Sequence, residues 1–226
     1  MNQNRSHPMK RPTPRTTDEL SADFFLIRHG ESEANAGLPT HSPAAIRLTE
    51  TGHAQAANLA ARLEVKPALV VVSPYLRTQE TAVPFLARHP TVAVEEWPVQ
   101  EFTYLDIERH AGTTEAERGR VVEDYWTRED PSWNDGSGAE SFADFIGRVD
   151  TALDRLRERR ESPVIVFTHG YFIHAVEQRL ARPDEVVDGE LMRSFRRTWP
   201  ENAPGHCETR EYRFAARRPA GERSGI

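Results

Sequence analysis

The sequence predicts an α/β protein: a three-layer α/β/α sandwich with a mostly parallel sheet and an antiparallel edge strand. Short apolar, β-branched runs at 23–28, 68–72, 91–95 and 163–168 alternate with longer segments of helical periodicity. This alternation is typical of a parallel sheet covered by helices on both faces. The stretch 206–214 alternates weakly between apolar and polar residues, and it predicts the antiparallel edge strand.

Apolar residues at helical spacing predict helices over 49–63, 139–160 and 184–198. Thr49 is the expected N-cap of the first helix. Each of the runs 68–72 and 163–168 is also followed directly by a helical pattern. Ser73 is the expected cap after the first of these runs, with Pro74 at the first helical position, where a missing N–H costs little.

The chain is expected to form one domain over residues 21–216. Residues 1–20 are polar and proline-containing, and they predict a disordered lead-in, while residues 217–226 predict a flexible tail. The stretch 97–138 is long, polar and tryptophan-bearing, with one short helix expected near 117–128. Long irregular stretches inside compact domains are often functional, so we expect 97–138 to be an insertion on the substrate side.

Composition excludes several classes of protein. The 226 residues carry a formal net charge of −6, which disfavours nonspecific nucleic-acid binding. Cys207 is the only cysteine, so the chain forms no internal disulfide and no cysteine-rich metal site. Since no run approaches the ~20 apolar residues that a membrane span requires, we expect no membrane association and a cytoplasmic location.

Charged and polar side chains collect where the predicted strands end. Arg28 and His29 end the first strand, and Arg77 lies one helical turn beyond the second. Glu101 follows the third strand, and His169 follows the apolar run 163–168. Because the carboxyl ends of parallel strands meet at one edge of the sheet, we expect these five side chains to share a pocket.

Such a pocket suits a phosphate group. Guanidinium groups bind phosphate oxygens through a planar fork of donors, and the free N–H groups at a helix start bind them without a full charge. Gly30 and Gly170 follow the two histidines, where the backbone must turn sharply or approach a ligand closely.

The segments "LIRHGESEAN", "LTETGHAQA", "SPYLRTQETA", "GAESF" and "VIVFTHG" resemble, in order, the motifs of the histidine phosphatase superfamily, the phosphoglycerate-mutase-like branch 1. The match extends from residue 25 to 170. The resemblance implies that His29 is the nucleophile and becomes a phosphohistidine. It also implies a set of phosphate-binding groups: Arg28, Asn35, Arg77, His169 and the N–H of Gly170.

The leaving alkoxide requires a general acid, and Glu101 is the candidate. The family usually places a glutamate after the third strand, in a pattern that ends with glycine and an aromatic residue. Here "VQEFTYLD" carries the glutamate without the following glycines. Glu95, Glu96 and Asp106 therefore remain alternatives for this role.

Each candidate also has a structural interpretation. His29 could be a hydrogen-bonded histidine at a strand end, Arg28 and Arg77 surface ion-pair residues, His169 a helix cap, and Asn35 a turn residue. The ordered motifs favour the functional interpretation. The remaining histidines are expected at surface or packing positions, and no metal site is expected: His7, His41, His53, His89, His110, His174 and His206.

The sequence therefore predicts a phosphatase that needs no metal or other cofactor and acts on a small-molecule phosphomonoester. Two alternatives stay open. A mutase on the same scaffold would transfer the phosphoryl group, but the arginine- and proline-rich lid of the mutases is not evident between residues 102 and 138. The second alternative is a catalytically weak protein that keeps this fold and binds a phosphate ligand or a protein partner. Oligomeric state cannot be read from the sequence.

Overall fold

The computed structural model describes residues 23–214. The predicted lead-in and tail lie outside this range. The strands are β1 (Phe24–Arg28), β2 (Leu69–Val72), β3 (Ala93–Glu96), β4 (Val164–Thr168) and β5 (Thr209–Tyr212). The helices are α1 (Glu50–Arg62), α2 (Leu76–Arg88), α3 (Gly119–Thr127), α4 (Phe142–Glu158), α5 (Gly170–Ala181) and α6 (Gly189–Asn202).

The five strands form one sheet in the order β3-β2-β4-β1-β5. The pairs β2–β3, β2–β4 and β1–β4 are parallel, and β5 runs antiparallel to β1 at the edge. The predicted α/β class, the mostly parallel sheet and the antiparallel edge strand are therefore confirmed. Strand β3 begins two residues later than predicted, and most of its side chains are exposed because it forms the opposite edge.

Alternate residues of each central strand face two separate cores. Phe24 and Leu26 pack with apolar residues of α4, α5 and α6 on one face, whereas Phe25 and Ile27 pack with residues of α1 and α2 on the other. Helix layers thus cover both faces, as the strand sequences predict. Burial of each such side chain contributes about 1.5–3 kcal/mol. Among residues 23–214, no helix is long and apolar enough to cross a bilayer.

The predicted cap of α1 is confirmed, and that of α2 is wrong. Thr49 Oγ1 accepts a hydrogen bond from the N–H of Gly52 at 3.1 Å. Helix α2 begins only at Leu76, with Tyr75 as its N-cap. Ser73 Oγ instead accepts from the Tyr75 N–H at 3.2 Å, so Ser73 and Pro74 form a turn before the helix.

The stretch 97–138 contains the predicted short helix, α3, and it is anchored to the core at its start. Trp97 is buried, with 1% of its surface exposed. The ring of Phe102 stacks on Phe145 of α4 at a centroid distance of 4.5 Å. Arg148 of α4 donates to the carbonyls of Pro98 and Gln100 at 2.8 and 2.9 Å. These contacts fix residues 97–102 beside the sheet edge.

Helix α1 is packed directly on the loop that follows β1. A methyl group at Gly52 would lie 2.0 Å from the carbonyl oxygen of Glu31, and one at Gly30 would lie 2.7 Å from the carbonyl oxygen of Gly52. The two backbones can approach this closely only because both positions are glycine. The position of the loop that carries His29 therefore depends on this contact.

We expect Gly52→Ala to lower the free energy of unfolding by about 1–3 kcal/mol, because the added methyl group must push α1 away from the loop. Urea denaturation measures the change. Gly147→Ala is the matched control: it lies in a helix with no atom within 4 Å of the new methyl group, so stability should stay equal or rise. Equal stability of both variants would contradict the packing described here.

Candidate active site

The carboxyl end of β1 places His29 at the centre of the sheet edge. Its backbone N–H donates to the carbonyl of Thr168 in β4 at 3.1 Å. The side chain is almost completely buried, with 3% of its surface exposed. Gly30 follows, and its N–H donates to Thr81 Oγ1 of α2 at 3.1 Å. His29 is thus held from both the sheet and a helix.

Two contacts define the protonation of the His29 ring. Nδ1 lies 2.6 Å from the carbonyl oxygen of Gly30, which can only accept, so Nδ1 carries the proton. Nε2 accepts a hydrogen bond from Nε of Arg77 at 3.1 Å. The lone pair of Nε2 therefore points away from the backbone and toward the side chain of Arg77.

The surroundings keep this ring neutral. Burial lowers the pKa of His29 well below its ordinary value of 6.5, and the positive charges of Arg77 and Arg28 lower it further, against the effect of the Gly30 carbonyl. At neutral pH the imidazole keeps its lone pair, which is the form that can act as a nucleophile.

Arg77 lies in the first turn of α2 and is buried, as its place on the apolar side of the helix predicts. Its Nη1 donates to the carbonyl of Pro43 at 2.7 Å, and its guanidinium lies 5.0 Å from the ring centroid of Tyr75. Burial lowers the pKa of Arg77 to about 10, so the group stays positively charged at neutral pH.

Arg28 is the second guanidinium of the site. Its Nη1 donates to the carbonyl of Pro204 at 2.6 Å. Its Nε is buried and has no hydrogen-bond partner within residues 23–214. Burial lowers the pKa of Arg28, while the negative charge of Glu101 raises it. The guanidinium group is therefore held at Nη1 by Pro204, whereas its Nε–H has no partner among residues 23–214.

His169 ends β4 and is the N-cap residue of α5. Its ring centroid lies 5.1 Å from that of His29, so the sequence-predicted histidine pair is brought together. Nε2 of His169 lies 2.8 Å from Ser73 Oγ, and Nδ1 has no partner among the described residues. Burial, followed by the charge of Arg77, lowers the pKa of His169 well below its ordinary value.

Glu101 lies between these groups and the start of α5. Its Oε1 accepts from the N–H of Tyr171 and from the N–H of Phe102, each at 3.1 Å. Burial raises the pKa of Glu101, and the neighbouring Arg77 opposes this rise. A carboxyl group with a raised pKa beside a cationic pocket has the property required of a general acid.

Of the three alternative carboxylates, Glu95 and Glu96 lie outside the cavity that Glu101 lines, whereas Asp106 lines it too. Glu95 is bonded to Arg159, at 2.6 Å, and to the indole N–H of Trp97. Glu96 is exposed and accepts from Gln79 at 3.3 Å. Asp106 accepts from the N–H of Arg109 at 2.9 Å. None of these contacts involves Arg28 or Arg77, whereas the negative charge of Glu101 raises the pKa of both guanidinium groups.

Gly170 lies next to His169, whereas Asn35 is exposed and bonded within its own loop. Gly170 begins α5, next to His169, where the first N–H groups of the helix are directed outward. Asn35 is exposed, and its Oδ1 accepts from the N–H and the hydroxyl of Ser32 at 3.2 and 2.9 Å. Its predicted contact with phosphate remains a prediction.

His206 is a further histidine of this site, and residue types alone did not separate it from the packing histidines. Its ring centroid lies 6.3 Å from that of His29. The order of the strands carries the signal that identifies it. Because β5 runs antiparallel beside β1, the residues just before β5 return to the carboxyl end of β1. The loop with His206 therefore meets His29 there.

Three nitrogen atoms in the side chains around His29 are buried and have no hydrogen-bond partner within the described range: Arg28 Nε, His169 Nδ1 and His206 Nε2. Buried polar atoms without partners are uncommon and costly in folded proteins. Nitrogen atoms of this kind, next to two guanidinium groups, form a cradle for an anion. Residues 23–214 contain no group of three His, Cys, Asp or Glu side chains arranged to hold a metal ion.

A cavity of about 450 Å³ opens beside Arg77 and Glu101. Its walls come from the 40–46 loop, the stretch 97–138 and helices α5 and α6. Aromatic side chains form much of the surface: Tyr75, Phe102, Tyr104, Tyr171 and Trp199. The site therefore consists of a tight cationic end around His29 and a wider space beyond Glu101.

Comparison with known proteins gives several relatives. The chain is 33% identical over 140 residues to a Mycobacterium tuberculosis protein, Rv0525, covering 59% of this chain and 65% of that relative. It is 30% identical over 163 residues to a protein from the same organism named acid phosphatase, covering 69% and 74%. A solved mycobacterial glucosyl-3-phosphoglycerate phosphatase superposes with a TM-score of 0.61 and 26% identity, covering 82% of this chain and 88% of that one.

Residues 24–186 match the model of the histidine phosphatase superfamily, branch 1. This range contains every motif on which the resemblance depends, and it covers most of the chain. The fold, the paired histidines at the sheet edge and this match agree. The protein is a member of branch 1 of the histidine phosphatase superfamily.

Proposed function

We propose that this protein hydrolyses a phosphomonoester through a phosphohistidine formed on His29, without a metal ion. The observation that carries the proposal is the neutral His29 ring, whose Nε2 lone pair lies beside the guanidinium of Arg77. An unprotonated imidazole nitrogen next to a buried positive charge is suited to attack a phosphorus atom. The relative named acid phosphatase supports hydrolysis as the reaction.

The reaction proceeds in two steps. In the first, Nε2 of His29 forms a bond to phosphorus, the ester P–O bond breaks, and Glu101 protonates the leaving alkoxide. In the second, the Glu101 carboxylate accepts a proton from water as the water oxygen attacks phosphorus. The P–N bond then breaks, so that inorganic phosphate and free His29 are formed.

Arg28, Arg77 and His169 bind the phosphoryl oxygens in this proposal, with Asn35 and the N–H of Gly170 as further donors. Arg77 Nε donates to His29 Nε2 at 3.1 Å. The phosphoryl group must replace this hydrogen bond, because both nitrogens then contact the phosphoryl group. Loss of one such electrostatic contact in a transition state typically lowers the rate ~10²–10³-fold.

Brief reaction of the protein with [³²P]phenyl phosphate, in the presence of a metal chelator, should give a labelled adduct on His29. A phosphohistidine is stable in alkali and labile in acid. His29→Ala should remove the label and lower turnover by about 10³-fold or more, because the nucleophile is lost. His53→Ala, on the exposed side of α1, is the matched histidine control.

An adduct stable in acid and labile in alkali would exclude His29 as the attacking group. Phosphate release separates the other functions. A phosphatase releases one inorganic phosphate per phenol, whereas a mutase needs a bisphosphate primer and releases little phosphate. No turnover of any phosphoester by the pure protein would leave binding of a phosphate ligand or a protein partner as the function.

The pH profile should identify Glu101 as the acid. Glu101 must be protonated to donate, so kcat/KM should fall as pH rises through its raised pKa. His29 must be neutral, and its lowered pKa moves the acidic limb well below pH 6.5. In Glu101→Gln the basic limb should disappear, and turnover should fall most for esters with poor leaving groups. Glu96→Gln is the exposed control.

If the basic limb persists in Glu101→Gln, the limb belongs to another group, such as the second ionisation of the substrate phosphate. An equal loss for good and poor leaving groups would also count against Glu101 as the acid. Asp106→Asn then becomes the next variant, since Asp106 also lines the cavity.

His206 contributes a further phosphate contact through its unpartnered Nε2. His206→Ala should raise KM for phenyl phosphate and the inhibition constant of inorganic phosphate about tenfold, because a hydrogen bond to a charged group is lost. His206→Gln should restore part of the affinity, because its amide can still donate. Unchanged constants in His206→Ala would show that this histidine only packs against the site.

A further inference from the structure

We infer that the alcohol portion of the substrate contains a ring and a carboxylate, and that Arg196, assisted by Arg118, binds this carboxylate. The inference rests on the proposed function, because it concerns the part of the same site that receives the leaving group. It assigns a class of substrate, a carboxylate-bearing cyclic phosphomonoester, and two residues that select it.

The size of the cavity is the first observation. A volume of about 450 Å³ lies beyond Arg77 and Glu101. This lies in the ordinary range for sites that enclose a small organic ligand, which runs from about 300 to 1,000 Å³. A leaving group of only a few atoms would leave most of this space filled with water, so the cavity favours a larger alcohol.

The walls are flat and aromatic. The ring centroids of Tyr171 and Trp199 lie 4.4 Å apart, and those of Phe102 and Tyr104 lie 5.1 Å apart. Tyr104 and Tyr171 connect the two pairs at 6.4 Å. Because these rings pack against one another, they form a continuous apolar wall that a cyclic group can contact, and the hydroxyl groups of the tyrosines offer hydrogen bonds.

Besides Arg77, two guanidinium groups line this aromatic cavity, those of Arg118 and Arg196. Arg196 Nη1 donates to the hydroxyl of Tyr171 at 3.3 Å, and the guanidinium lies 5.6 Å from the ring centroid of Trp126. Arg118 Nη1 donates only to the carbonyl and hydroxyl of Thr113. Within residues 23–214 neither forms an ion pair, although other partly buried arginines such as Arg148 do.

Tyr171 links Arg196 to Glu101, the candidate general acid. The N–H of Tyr171 is bonded to Glu101 at 3.1 Å, and its hydroxyl accepts from Arg196 at 3.3 Å. One tyrosine, from backbone to hydroxyl, therefore connects the candidate acid to the guanidinium. A para-substituted aryl ester with phosphate at one end and carboxylate at the other has a comparable length.

The acidic groups that line the cavity form no ion pair with Arg118 or Arg196 in the part of the chain that the structure describes. Asp106 is bonded to the backbone N–H groups of Arg109 and Gly138, and His110 is paired with Asp135. Glu115 is exposed at the rim. The charge of Glu115 acts on Tyr104 and Tyr171, as does that of Arg196, but no carboxylate is bonded to either guanidinium group, so both can bind the carboxylate of a ligand.

The test compares 4-carboxyphenyl phosphate with phenyl phosphate in the full-length protein. For each variant the measured quantity is the ratio of the two kcat/KM values, which cancels changes common to both esters. Arg196→Gln should lower this ratio about tenfold, and Arg118→Gln should lower it less. Arg197→Gln is the matched control, because Arg197 is the exposed neighbour in the same helix and does not line the cavity.

An unchanged ratio in Arg196→Gln, with both esters hydrolysed, would overturn the inference and leave the proposed function intact. A ratio below one in the wild-type protein would also overturn it, since the carboxylate would then be disfavoured. If neither ester is hydrolysed and His29→Ala behaves like the wild type, the proposed function itself fails. Thermal unfolding of each variant confirms that the compared proteins are folded.

Discussion

The site depends on the hydrogen bond from Arg77 Nε to Nε2 of a buried His29, at 3.1 Å. This bond requires an unprotonated nitrogen, and the positive charge that donates it also opposes protonation of the ring. The Gly30 carbonyl fixes the proton on the other nitrogen. The charge, tautomer and orientation of the ring are therefore set by two contacts of a buried side chain, where such contacts are stronger than at the surface.

The sheet explains why these groups can be buried together. Parallel strands β1, β2 and β4 end at the same edge, so the side chains that follow them converge without long loops. The close approach of Gly30 and Gly52 seats the loop after β1 on α1. Strand β5 adds the residues before it to the same edge, because it runs antiparallel to β1. The end of the site around His29 is thus supported by the regular elements of the fold.

The cavity beyond Glu101 is built from less regular parts of the chain, yet these are bonded to the same framework. Glu101 accepts from the N–H groups of Phe102 and Tyr171, which joins the stretch 97–138 to the start of α5. Phe102 stacks on α4, and Tyr171 contacts Arg196 of α6. One carboxyl group therefore connects the surroundings of His29 to the walls of the cavity.

The sequence by itself determined the layers, the parallel sheet and the convergence of Arg28, His29, Arg77 and His169, because strand periodicity and strand ends are local properties of the chain. It left Glu101 as one of four candidate carboxyl groups. Tertiary structure decided the rest. Ser73 bonds His169 instead of capping α2, and His206 reaches His29 only because β5 pairs with β1. Which side chains line the cavity depends on contacts between segments far apart in the chain, such as Tyr171 with Glu101, and no local pattern encodes those contacts.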